Sequence, residues 1–125
     1  MINYPIGDSL IRIKNAALVG NREVSLEVSN FIHKTVLALK RAGYLSNVVK
    51  NKDGLLVEIA YHKKSPLLTD LKIWSKPGQR KYLDVKALSG KKGISVFILS
   101  TPLGILSSKE ALKKKVGGEV IAEIW

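Results

Sequence analysis

Two apolar-rich runs, Leu45 to Lys50 and Leu55 to Tyr61, flank Asn51-Lys52-Asp53-Gly54. Asp-Gly between such runs is a strong hairpin signal, because a tight turn needs backbone angles that Gly, Asn and Asp adopt cheaply. A hairpin here commits the surrounding chain to antiparallel pairing. Upstream, Asp8 is a good N-cap for a helix to about Leu18, with Leu10, Ile13 and Ala17 as its inner stripe and Gly20 at its stop. Glu23 to Val28 alternates, placing Val24, Leu26 and Val28 on one face of a half-buried strand. Ser29 caps a second helix whose Ile32, Val36 and Leu39 face inward and whose end carries Lys40, Arg41 and Gly43. The first half therefore reads αβαββ.

Lys63-Lys64-Ser65-Pro66 interrupts this pattern and is the expected linker, short enough that the halves pack together. Leu67 to Trp74 and Arg80 to Val85 then flank Lys76-Pro77-Gly78-Gln79, where Pro-Gly fits the centre of a type II turn. A short Val85–Ser89 helix or turn leads through the basic loop from Gly90 to Gly93 into a buried strand, Ile94 to Leu99. Ser107 and Glu110 form a capping box opening a helix to about Lys115, and Glu119 to Trp125 closes as a strand. The expectation is an α+β fold of two small packed lobes. Residues 1–62 form an N-terminal αβαββ lobe, and residues 63–125 a mostly-β lobe with a short helix.

Charge narrows the function. The chain carries 21 Lys and Arg against 10 Asp and Glu, a net +11, and 46% hydrophobic residues give it material for a core. Residues 1–62 hold 8 cations against 5 anions, and residues 63–125 hold 13 against 5. A small chain this basic is matched to a polyanion, nucleic acid first of all, with its second half as the main footprint. The chain has no cysteine, which excludes disulfides, zinc ribbons and a thiol nucleophile. No apolar run approaches the roughly 18 residues that span a bilayer, and no secretory signal opens the chain, so a soluble protein with no membrane partner is expected. His33 and His62 have no carboxylate or hydroxyl at a telling spacing, and no nucleophile elbow, phosphate loop or metal cluster is present. Nothing in the spacing gathers Asp8, Asp84 and Glu119 into a nuclease site. No enzyme, cofactor or metal is expected.

The most suggestive stretch is Ile98-Leu-Ser100-Thr101-Pro102-Leu-Gly104, followed by a helix carrying Lys109, Lys113, Lys114 and Lys115, then Gly117-Gly118-Glu119. Each part has a plain reading beside the functional one. Ser100 and Thr101 satisfy turn amides, or they present donor–acceptor groups to an RNA minor groove or unpaired base. Gly117-Gly118 ends a helix in the left-handed conformation and Glu119 starts a strand, or the carboxylate accepts from a base amino group or a 2′-hydroxyl. The lysines are a solvated helix face, or they meet phosphates. Arg12, Lys14 and Asn15 on the first helix, with Lys76, Arg80 and Tyr82 around the Pro-Gly turn, complete the candidate set. Tyr82 packs into the core, or, as a tyrosine among cations, it stacks on sugar or base.

In order along the chain, three motifs resemble one family, the eighth protein of the small ribosomal subunit in its bacterial or organellar form. They are Tyr4-Pro-Ile-Gly-Asp8-Ser-Leu-Ile-Arg12-Ile-Lys14-Asn15-Ala16, Trp74-Ser-Lys76-Pro-Gly-Gln-Arg80-Lys-Tyr82, and Leu99-Ser-Thr-Pro-Leu-Gly104 with Ala111, Gly117-Gly118-Glu119 and Trp125. The resemblance implies a structural protein that binds 16S-type rRNA at a distorted helix of the central domain and helps the subunit assemble. It implies contacts at Ser100, Thr101, Gly118, Glu119 and Tyr82, with support from Arg12, Lys14 and Asn15. It also implies neighbouring small-subunit ribosomal proteins and, as the alternative role, repression of an own-operon mRNA; with no transit peptide in view, a cytoplasmic ribosome is expected rather than an organellar one. Pro102 stands where the family usually has a third hydroxyl residue, and Ile11 where it usually has Thr.

Overall fold

The computed structural model describes residues 5–91 and 95–125. Met1 to Asn3, Tyr4 of the opening motif, Lys92 and Gly93 of the expected basic loop, and Ile94 of the expected strand lie outside them. Helix α1 (Pro5–Leu18) starts earlier than its sequence signal. Proline opens a helix well because its missing N–H would have no intrahelical partner there. Asp8 is therefore a first-turn residue, set against the positive end of the helix, and not the N-cap. Ile6, Leu10, Ile13 and Ala17 are buried, as the periodicity requires.

Strand β1 (Glu23–Leu26) stops short of Val28, which is exposed. The chain turns away so that Ser29 can take the extended cap conformation and accept the Ile32 N–H at 3.0 Å, starting α2 (Asn30–Arg41). β2 (Leu45–Lys50) and β3 (Leu55–Ile59) form the expected hairpin, closed by the Asn51 side chain accepting from the Asp53 and Gly54 amides. The antiparallel order β1-β3-β2 completes the αβαββ unit.

The segment expected as a linker is a hairpin of its own. β4 (Tyr61–His62) pairs with β5 (Ser65–Pro66) across Lys63-Lys64, with Lys63 at φ 59°. Tyr61 holds it to the first half, donating to the Asn21 carbonyl at 2.7 Å beneath the Arg22 guanidinium.

In the second half, β6 (Leu71–Ile73) and β7 (Tyr82–Leu83) are shorter than their apolar runs. They do not pair with each other. Both lie along β10 (Gly118–Ile124), β6 on its far end and β7 on its beginning. The Pro77-Gly78 turn, with Gly78 at φ 80°, closes only the Lys76–Gln79 bridge between them. After α3 (Val85–Ser89), β8 runs Val96–Thr101, so Ser100 and Thr101 are strand residues. β9 (Gly104–Ser107) pairs back onto β8 across a Pro102-Leu103 turn, where the sequence signalled only a turn before the next helix. The sheet order is β6-β10-β8-β9. α4 (Ser108–Lys114) has the expected Ser107–Glu110 capping box.

A larger apolar cluster joins Leu10, Ile13, Val36, Leu39 and Val57 to Leu71, Ile98, Ile121 and Ile124, crossing the boundary near residue 62. A smaller one gathers Leu88, Phe97, Leu99, Leu106, Ala111 and Val120 under α3 and α4. β8 feeds both, Ile98 one way and Phe97 and Leu99 the other, which explains why its sequence is continuously apolar. Arg41 at the end of α2 ties the halves at the surface. It donates to the Ile105 carbonyl at 2.9 Å and to Glu110 at 2.9 Å.

Candidate nucleic-acid interface

The register of the sheet builds a row from three of the candidate residues. Glu119 on β10 is the direct partner of Tyr82 on β7 and of Ser100 on β8. Directly paired residues point to the same face about 5 Å apart, so Tyr82, Glu119 and Ser100 stand side by side across three strands. Tyr82 is 69% exposed, with its ring free to take a planar ligand. The three line an open groove together with Thr101, Pro102, Gly117 and Gly118.

The double glycine makes this row possible, though not as a helix stop. α4 ends at Lys115, which itself takes the left-handed conformation at φ 56°. A Cβ on Gly118 would lie 2.2 Å from the Ser100 carbonyl oxygen, and one on Gly117 2.4 Å from that of Leu83. Only glycine lets β10 begin wedged between β7 and β8.

The two hydroxyls differ. Thr101 Oγ1 donates to the Gly104 carbonyl at 2.7 Å and accepts the Leu103 N–H at 3.1 Å, so the plain turn reading holds for it. The Ser100 hydroxyl has no hydrogen-bond partner among the described residues and faces the groove. Glu119 accepts from Arg80 at 3.1 Å, an ion pair that poises a guanidinium over the row.

Arg80 is held in place by a residue that the sequence did not single out. Ser75 is fully buried. Its Oγ donates to the Val120 carbonyl at 2.6 Å and accepts the Lys81 N–H at 3.0 Å, pinning the 76–81 segment to β10. A serine beside a Pro-Gly turn looks like any turn polar residue, and its burial depends on a strand far away in sequence. Lys76 is exposed at the turn and adds charge nearby.

Arg12, Lys14 and Asn15 are not part of the row. Arg12 and Asn15 line a separate shallow groove on α1 with Val19 and Asn21. Lys14 is engaged at 3.0 Å with Asp70. That hydrogen bond, together with the Leu71 N–H, holds the Asp70 carboxyl below its ordinary range. Asp8, Asp84 and Glu119 have separate local roles: first-turn charge on α1, cap of α3 and partner of Arg80. Among the described residues, no three His, Asp or Glu side chains are grouped as metal ligands, and no helix is long and apolar enough to cross a membrane.

Comparison with known proteins bears on this geometry. The family model described as ribosomal protein S8 matches residues 4–125. The chain is 37% identical to the small ribosomal subunit protein uS8 of Nitratidesulfovibrio vulgaris strain Miyazaki F, and 39% identical to that of Persephonella marina, over the full length of each. It is 38% identical to the uS8 protein of Wolbachia pipientis wMel, over 96% of this chain and 95% of the relative. With three motifs in order, a match over nearly every residue and relatives aligned from end to end, the chain belongs to the ribosomal protein S8 family.

Proposed function

We propose that this protein is a structural, non-catalytic constituent of the small ribosomal subunit that binds 16S-type rRNA directly and helps its central domain fold during assembly. The observation that carries the reading is the Tyr82–Glu119–Ser100 row, with its unpaired hydroxyl and exposed ring in an open groove. Its chemistry suits RNA. A free hydroxyl and a carboxylate can exchange hydrogen bonds with 2′-hydroxyls and base edges, and an exposed ring can stack. Lys76, Lys81 and Arg80 supply phosphate contacts without sequence information. Gly118 serves by bringing the backbone close, and Thr101 by shaping the turn. Arg12, Lys14 and Asn15 form a second, supporting patch for a further rRNA segment. Neighbouring small-subunit proteins cover other faces.

The test is equilibrium binding to a central-domain rRNA fragment, with duplex DNA of equal length as competitor. The RNA should win, and log affinity should fall by roughly 0.7–0.9 per log unit of salt for each phosphate engaged. Ser100→Ala should weaken RNA binding by about 0.5–1.5 kcal/mol without moving the melting temperature, since its hydroxyl bonds nothing among the described residues. Equal competition by DNA, or an unchanged affinity for Ser100→Ala, would count against the reading.

A further inference from the structure

The β8–β9 turn is a ridge with a groove on each side. The groove described above lies toward β7 and β10. The other lies between the turn and α2, lined by Asn30, Phe31 and Lys34 on the helix and by Ser100, Thr101 and Pro102 on the ridge. Ser100 to Pro102 therefore belong to both grooves. Phe31 is 42% exposed, although α2 has a buried stripe in Ile32, Val36 and Leu39 that already anchors the helix. Its ring is surplus to the core. Lys34 follows at the i+3 position, on the same side of the helix, and forms no ion pair among the described residues.

We propose that Phe31 and Lys34 form a second nucleotide-binding groove, in which an unpaired base of the same RNA stacks on the Phe31 ring while Lys34 meets the adjoining phosphate. This rests on the RNA-binding reading of the Ser100 row, because the shared ridge makes the two grooves continuous. An aromatic platform beside a lysine and small polar groups is the pattern with which proteins hold single-stranded nucleotides. Tyr82 on one side of the ridge and Phe31 on the other give the RNA a ring at each end of its path.

The experiment measures the affinity of Phe31→Ala, Phe31→Leu, Phe31→Trp and Tyr82→Ala for two probes. One is a central-domain rRNA fragment with an internal loop, and the other is the same fragment with the loop closed into a duplex. Phe31→Ala and Phe31→Leu are expected to lose about 5- to 150-fold on the looped RNA, and much less on the closed one. Phe31→Trp should bind at least as tightly as the parent, and all should melt near the parent because the ring is half outside the core. If Phe31→Leu binds like the parent, the ring does not stack and the proposal fails. If Phe31→Ala binds normally while Tyr82→Ala weakens, the RNA stops at the ridge; Phe31 then faces solvent or a protein neighbour. If both bind normally, the first interface is wrong and this one falls with it. Should Phe31→Ala fail to fold, Phe31→Leu and Lys34→Gln carry the same decision.

Discussion

Gly118→Ala tests whether close backbone approach assembles the Tyr82–Glu119–Ser100 row. The added Cβ would sit 2.2 Å from the Ser100 carbonyl oxygen, against about 3.4 Å for an ordinary contact, so β8 and β10 must part by about 1 Å there. Strands in a ladder lie about 4.8 Å apart, and a separation of that size breaks the hydrogen bonds beside it. Each lost bond costs about 0.5–1.5 kcal/mol, and overpacking strain typically adds about 1–3 kcal/mol. We expect a loss of about 2–4 kcal/mol, which lowers the melting temperature by roughly 8–16 °C in a chain of this size. The Glu119–Ser100 pairing should be displaced too, so RNA affinity should fall even well below the melting temperature. Urea denaturation followed by circular dichroism, with RNA binding at 10 °C, measures both. Gly90→Ala is the control: its Cβ would lie an ordinary 3.5 Å from the Ala87 carbonyl oxygen, and its φ of −80° suits any residue. If Gly118→Ala melts within about 2 °C of the parent and binds RNA equally well, the close-approach argument is wrong.

Other substitutions test the supports. Ser75→Ala should cost about 1–3 kcal/mol in urea denaturation, because it strands the buried Val120 carbonyl and the half-buried Lys81 amide; a neutral result would mean that water or backbone movement replaces the hydroxyl. Burial pushes the Glu110 carboxyl up, but the Ser107 amide and the Arg41 guanidinium outweigh it and bring the net value below 4.5. The native state then holds this proton less tightly than the unfolded chain, so the stability it lends is present above pH 4.5 and lost as pH falls through the lowered value. Arg41→Ala should flatten that acid-side loss in a series of denaturation curves. For Asp70, NMR titration should find the carboxyl below the ordinary 3.8, and Lys14→Ala should move it back toward that value.

Local signals survived into the fold wherever a few adjacent residues settled the matter. The Ser29 cap, the Asn51–Gly54 hairpin and the Ser107–Glu110 capping box each stand where their side chains satisfy nearby amides. Signals that depended on distant partners were misread. Nothing near residues 67–85 tells β6 and β7 to share one side of β10 instead of pairing together. β9 is four residues whose strand character comes from β8 alone. Gly117-Gly118 looked like a helix end because glycine's conformational freedom is visible in a sequence, whereas the carbonyl that would strike its Cβ is not. The same divide runs through the interface. Ser100, Glu119 and Tyr82 were legible as residue types, but only the register places them in one row, and only the turn geometry separates the occupied hydroxyl of Thr101 from the free one of Ser100.

β10 follows every other strand in the sequence, yet it lies between β8 on one side and β6 and β7 on the other. During synthesis the αβαββ unit can pair as it emerges, while the second sheet must wait for its middle member. The groove waits with it, since Glu119 is the residue that links Tyr82 to Ser100. A ribosome that releases its product before Gly118 therefore yields a basic polypeptide with no assembled Tyr82–Glu119–Ser100 row. If the row binds RNA as proposed, such a fragment keeps charge enough for loose association with nucleic acid but should not displace the finished protein. Strand order thus sets when the groove can form: on the proposed RNA-binding reading, the ability to compete for RNA arrives only with a strand made after the three it joins.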